Sequence, residues 1–131
     1  MDELLQAARE ATAEAYAPYS DYPVGAAVET GDGSIYAGTN MEVANFSNSL
    51  HAEEVALVRA RMAGHEDLER VAVTAADRDG VTPCGMCRQT LAEFADADLV
   101  VLTEDETGVT EFTLGDLLPH AFSGDLLGDG R

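Results

Sequence analysis

Residues 51–87 read HAEEVALVRARMAGHEDLERVAVTAADRDGVTPCGMC, and the way this stretch divides decides the fold. Leu50 to about Ala63 predicts a helix, with Val55, Leu57, Val58 and Met62 available for a core and Gly64 as its stop. Val71–Ala76 is a short β-branched run and predicts a strand. Asp77–Pro83 is a loop, and Cys84 to about Ala95 a second helix. A helix, a strand and a helix in succession require a sheet that they can cover.

Working outward, Asp2 to about Ala17 predicts an amphipathic helix, with Leu4, Leu5, Ala8, Ala11 and Ala15 near one stripe and Pro18 as its end. Val24 to about Thr30 and Ile35–Gly38 predict two strands joined by a Gly31-Asp32-Gly33-Ser34 turn. Thr39–Asn48 is polar and loop-like. Leu99–Thr103 and Gly108–Thr113 predict two further strands, and Leu114–Leu118 a helical turn. The order α-β-β-α-β-α-β-β predicts an α/β fold, a three-layer α/β/α sandwich with a five-stranded mixed sheet. A chain of 131 residues suits one domain over 1–131, and the Gly- and Asp-rich stretch 123–131 is expected to fray.

Charge restricts the partners. The chain has 25 acidic residues against 7 basic, a net charge of −18, and every basic residue is an arginine. Such a surface repels phosphate backbones and anionic lipid, so neither nucleic acid nor membrane is expected as a partner. The acidic excess runs along the whole chain, which suggests adaptation to a salt-rich (halophilic) cytoplasm where counterions screen self-repulsion. Met1-Asp2-Glu3 lacks the basic start of a secretory signal, so a cytoplasmic location is expected.

Two segments carry chemistry: His51-Ala52-Glu53 and Pro83-Cys84-Gly85-Met86-Cys87, each at the start of a predicted helix. Cys84 and Cys87 lie three apart, so their sulfurs face one way on a first helical turn. The free N–H groups and partial positive charge of a helix start favour thiolate, the metal-binding form. With His51 as an imidazole donor the set is Cys₂His, which leaves a fourth tetrahedral position for water, the arrangement of a catalytic zinc site. Glu53, two residues past His51, can border that site and carry protons without ligating. Taken alone, Cys84 and Cys87 suit a redox pair or half of a structural zinc site equally well. A structural site needs a fourth protein ligand, and the remaining histidines, His65 and His120, read as a helix-end and a surface or subunit-contact residue. Arg88 either tunes the thiolates or makes a surface ion pair.

The signature H-x-E followed by P-C-x-x-C is that of zinc deaminases, and the chain resembles the cytidine deaminase family along nearly its whole length. Ala17-Pro18-Tyr19-Ser20-Asp21-Tyr22-Pro23-Val24-Gly25-Ala26-Ala27 is similar to the family's A-P-Y-S-x-F-P-V-G-A-A. Gly38-Thr39-Asn40-Met41-Glu42 is similar to G-x-N-x-E, Cys87-Arg88-Gln89 with Glu93-Phe94 to C-R-Q…E-F, and Leu117-Leu118-Pro119…Phe122 to the C-terminal segment. The resemblance implies one Zn²⁺ per subunit on His51, Cys84 and Cys87, and hydrolytic conversion of cytidine, and of deoxycytidine, to the uridine form plus ammonia, with Glu53 as proton carrier. It implies that Asn40 and Glu42, flanking Met41, meet the ribose hydroxyls, that the Ala52 N–H meets the base carbonyl, and that Tyr22 stands where a phenylalanine packs on the pyrimidine. It implies a homo-oligomer, a tetramer before a dimer, with Phe122 lent to a neighbouring site.

The chain departs from the pattern in two places. Short members of the family carry C-A-E-R where this chain has His51-Ala52-Glu53-Glu54. The two changes are coupled by charge: a third thiolate makes the centre anionic and an arginine offsets it, whereas a histidine ligand leaves the centre neutral and makes Glu54 tolerable. Met41-Glu42-Val43-Ala44-Asn45-Phe46 also differs from the usual N-V-E-N-A-S-Y, which keeps open a cytosine-bearing antibiotic or a modified nucleoside as substrate. A zinc-stabilised binding module without catalysis is the alternative from another class, and Glu53 discriminates against it.

Overall fold

The computed structural model describes residues 2–127. Five strands form one sheet in the order β2-β1-β3-β4-β5. They are β1 (Val24–Thr30), β2 (Ile35–Thr39), β3 (Leu68–Ala75), β4 (Val100–Asp105) and β5 (Gly108–Thr113). β1 runs antiparallel to both β2 and β3, β3 runs parallel to β4, and β4 antiparallel to β5. The parallel step needs a crossover, and helix α3 (Gly85–Phe94) supplies it. Helix α1 (Glu3–Ala11) covers one face of the sheet, where Leu4, Leu5 and Ala8 pack with Ala27, Ala72 and Leu102. The other face buries Val28 and Val71 against Ala56 and Ala60 of α2 (Ala52–Met62) and Leu91 of α3. The mixed sheet between these helical layers is the expected α/β/α sandwich. A short helix, α4 (Leu114–Leu117), follows β5, capped by the Thr113 hydroxyl, which accepts from the Asp116 N–H at 3.2 Å.

Two local expectations are corrected. Helix α1 ends at Ala11, well before Pro18, and passes through a 3₁₀ turn at Thr12–Glu14. Tertiary pairing overrides helix propensity here: the Tyr16 N–H donates to Asn40 O at 3.1 Å, and Tyr16 O accepts from the Glu42 N–H at 2.8 Å. These bonds pull residues 15–17 into extended backbone alongside the 40–42 segment.

The core face of α2 is only partly the expected one: Leu57 is buried and Val55 half-buried. Val58 and Met62 are exposed, and the buried stripe is Ala52, Glu53, Ala56, Leu57 and Ala60. The reason is close approach to β2. A Cβ on Gly38 would stand 2.4 Å from Ala56 N and 2.6 Å from Ala52 O, so backbone lies against backbone and only small residues fit. That contact fixes the start of α2 and, with it, His51 and Glu53.

At the C-terminus Gly124–Leu127 forms a 3₁₀ turn. Residues 128–131, the remainder of the segment expected to fray, lie outside the described residues.

Candidate metal centre and active site

His51 and Cys84 are the N-cap residues of α2 and α3, both in extended backbone. The two helices therefore aim their positive ends at one point, and each carries N–H groups without intrahelical partners there. His51 Nδ1 lies 3.3 Å from Cys84 Sγ and 3.4 Å from Cys87 Sγ. All three donor atoms fall within 4.8 Å of one another, and among the described residues no fourth His, Cys, Asp or Glu joins the group.

The donor set fits zinc. Tetrahedral bonds of about 2.3 Å to sulfur and 2.0–2.1 Å to nitrogen separate the two kinds of donor by roughly 3.5 Å, which matches the observed spacing. Electrostatics agrees. Burial, then the charges of Glu53 and Cys84, push the Cys87 thiol far above its ordinary range in the bare protein. Among the described residues Arg88, the arginine next in sequence to Cys87, is bonded to Pro83, Thr82 and Leu117 instead. Two thiols crowded with a carboxylate become favourable once a divalent cation sits among them.

Glu54 has a use beyond being tolerated. Its carboxylate accepts from the His51 N–H at 2.9 Å, the reciprocal half of a capping box, and so pins the backbone of a ligand. Arg88 fits neither sequence reading. Its guanidinium donates to Pro83 O at 2.7 Å, Leu117 O at 2.8 Å and Thr82 Oγ1 at 3.0 Å. It clamps the residues just before Cys84 to the α4 region and makes no ion pair with the thiols. His65 tilts against Tyr36 with ring centres 5.4 Å apart, and His120 is exposed; both stand apart from the metal group.

Glu53 is 6% exposed and lies in the first turn of α2, facing Cys87. Burial raises its proton affinity above that of an ordinary carboxylate, although the nearby His51 and Cys87 partly counter this. It also forms part of the wall of a cavity of about 530 Å³, together with His51, Ala52 and Cys84. That size suits a small organic ligand.

Asn40 and Glu42 line the same cavity. The Asn40 side chain is oriented by backbone, with Oδ1 accepting from Val24 N–H and Nδ2 donating to Tyr22 O, both at 3.0 Å. The Glu42 carboxylate accepts from the N–H groups of Tyr19 and Ser20, at 3.1 and 3.0 Å, and from the Ser20 hydroxyl. Tyr22, Met41 and Phe122 are not among the cavity-lining residues. The Tyr22 hydroxyl is bonded to Asp79, Met41 bridges to Tyr16 and Leu50, and Phe122 is exposed, its carbonyl accepting from Gln89.

Sequence reading missed part of the wall. Tyr19 and Phe46, both exposed, line the cavity edge to face with ring centres 5.4 Å apart, and Val81 and Thr82 also line it. A phenylalanine inside the polar 39–48 segment was the one available signal. The pairing with Tyr19 depends on long-range geometry that sequence spacing does not encode.

Comparison with known proteins agrees with this geometry. The family described as "Cytidine and deoxycytidylate deaminase zinc-binding region" matches residues 1–103. The cytidine deaminase of Sporosarcina psychrophila is 40% identical over 124 residues, covering 94% of this chain and 91% of its own. That of Halalkalibacterium halodurans is 39% identical over 127 residues, 96% of each chain. Among solved structures, the cytidine deaminase from Burkholderia pseudomallei superposes with a TM-score of 0.86 at 38% identity, covering 93% of this chain and all of that one. The Mycobacterium tuberculosis enzyme superposes with a TM-score of 0.82 at 34% identity, over 91% and 94% of the two chains.

Proposed function

Because the chain belongs to the cytidine and deoxycytidylate deaminase family, we propose that it deaminates the free nucleosides cytidine and deoxycytidine. Cytidine and water give uridine and ammonia: the bond from C4 to the exocyclic nitrogen breaks, and the water oxygen becomes the new carbonyl. His51, Cys84 and Cys87 would hold zinc, which when bound would supply the Lewis acidity that makes water nucleophilic near neutral pH. Glu53 takes the proton from the attacking water, hands it to N3 of the ring, and then moves the remaining proton of the added hydroxyl to the departing amine. Its burial suits this role, since a carboxyl of raised proton affinity can hold a proton between transfers.

The Ala52 N–H, at the first position of α2, is one of those a helix start leaves without an intrahelical partner and is the donor for the base carbonyl. An amide nitrogen has two N–H donors, so Asn40 keeps one for a ribose hydroxyl after serving Tyr22 O. Glu42 takes the other sugar contact.

One observation supports a nucleoside over a nucleotide. The cavity wall presents Glu42 and Glu53 and, among the described residues, no arginine, so nothing there neutralises a 5′-phosphate. Loss of ultraviolet absorbance on deamination tests this. Cytidine and deoxycytidine are expected to turn over, with kcat/KM for cytidine 5′-monophosphate lower by about 100-fold or more. Equal use of the monophosphate would reject the nucleoside reading.

The remaining parts of the reading rest on charge and exposed apolar surface. Val58 and Met62 on α2, Met86 on α3 and Phe122 are exposed, which supports a homo-oligomer, and the resemblance to short members of the family favours a tetramer before a dimer. The net charge of −18 supports a salt-rich cytoplasm as its setting. Both are read by sizing the protein across a KCl gradient, where assembly is expected to strengthen with salt. A monomer at every salt concentration would contradict the oligomer.

A further inference from the structure

The Tyr22 hydroxyl stands 2.7 and 2.6 Å from the two carboxylate oxygens of Asp79. We propose that this contact is a strap that holds the 19–22 loop against the 79–80 turn, making Tyr22 a positioning residue that acts on substrate binding through Tyr19, Ser20 and Glu42. The proposal rests on the nucleoside reading above.

The two ends of the strap are anchored differently. On the Asp79 side, Gly80 N–H donates to Glu104 O at 3.0 Å, a bond of the isolated Asp79–Asp105 bridge, and Arg78 N–H donates to Ala75 O at 2.9 Å. This turn is tied to β3 and β4 without any help from Tyr22. The 19–22 side is held to the rest of the chain through side chains, those of Glu42 and Asn40. Asp21 adopts φ 55, a left-handed turn conformation that aspartate takes more readily than most residues, and Arg78 at the other end adopts φ 51. The Asp21 N–H donates to Ala17 O at 2.9 Å, and the Tyr22 N–H donates to Ser20 Oγ at 3.1 Å, so much of the loop's bonding is to itself. Its outside holds are the Glu42 carboxylate, the Asn40 amide and Asp79.

Glu42 then has two duties. It fixes the loop that forms part of the cavity wall, and on the proposed reading it also meets the sugar. With the strap in place, the loop stays put while Glu42 engages substrate. Without it, the loop is left to Glu42, the Asn40 amide and the Tyr19–Phe46 ring contact, Glu42 is drawn between loop and sugar, and binding weakens. Tyr22 itself has no donor left for substrate, because its single hydroxyl proton is committed to Asp79. Burial, with the charges of Asp79 and Asp77, pushes the phenol up to about 12, so the donor persists across the working pH range.

The test compares Tyr22→Phe, Asp79→Ala and the double variant in steady-state kinetics with cytidine, alongside hydrogen exchange at the Tyr19 and Ser20 amides. Each single variant is expected to raise KM by about tenfold with kcat changed less than about twofold, and the double to be no worse than either single. Exchange at both amides is expected to quicken in all three. Unchanged KM in Tyr22→Phe overturns the strap, as does a double variant whose effects multiply, or a lowered melting temperature without a KM change. If the unaltered protein fails to convert cytidine, the nucleoside reading falls instead. Amide exchange then decides the strap by itself: faster in the variants if it exists, unchanged if it does not.

Discussion

Glu53→Gln is expected to keep one zinc per chain and to lower kcat for cytidine by about 10³-fold or more, the upper range for removing a proton carrier. The substitution preserves size and shape at a site only 6% exposed, so it tests protonation rather than packing. An amide cannot accept the water proton, and each later transfer depends on that first acceptance. A 10³-fold loss corresponds to about 4 kcal/mol of transition-state stabilisation. KM is expected to change little, because the residues assigned to the sugar stand elsewhere in the wall. Metal content and single-substrate kinetics on one preparation check both halves. Turnover equal to that of the unaltered protein would remove Glu53 from the chemistry, and loss of zinc would make it part of the metal site.

The second large effect falls on the ligands. His51→Ala and Cys87→Ala are each expected to reduce bound zinc to less than about a tenth of an equivalent after dialysis, with turnover falling to background. Two remaining donors cannot hold a tetrahedral ion against competing chelators, and among the described residues no spare His, Cys, Asp or Glu joins the three. The variants should differ in their side effects. Cys87 is 1% exposed, so removing its sulfur leaves a void beneath α3 and lowers stability as well. The His51 backbone stays capped by Glu54 whatever its side chain, so His51→Ala should fold nearly normally while losing metal. Atomic-absorption analysis beside a thermal melt separates the two. Full zinc occupancy in either variant would rule out that residue as a ligand.

The elements were legible where local signals agreed. β-Branched runs marked the strands, the Gly31–Ser34 turn marked the first hairpin, and the His51 and Cys84 segments lay at helix starts. What escaped the sequence depended on partners far along the chain. Tyr16 leaves the helical path because Asn40 and Glu42 offer it a ladder. The buried face of α2 is alanine-rich because Gly38 lets two backbones touch, whereas hydrophobicity alone favoured Val58 and Met62. The three metal donors and Glu53 could be identified because their chemistry demands particular residue types at particular spacings. The rest of the cavity makes no such demand. Tyr19 and Phe46 are ordinary aromatics until the fold sets them edge to face on its wall. Arg88 shows the limit for charged groups: its three acceptors are two carbonyls and a hydroxyl, and no pattern of charges along the sequence points to them.

Zinc-edge X-ray absorption on the purified protein bears most directly on the centre itself. Two sulfur ligands, one imidazole nitrogen and one oxygen that exchanges with added inhibitor or solvent are the expected shell. A shell closed by a fourth protein donor, or one lacking either sulfur or the imidazole, would contradict an open catalytic site built from His51, Cys84 and Cys87.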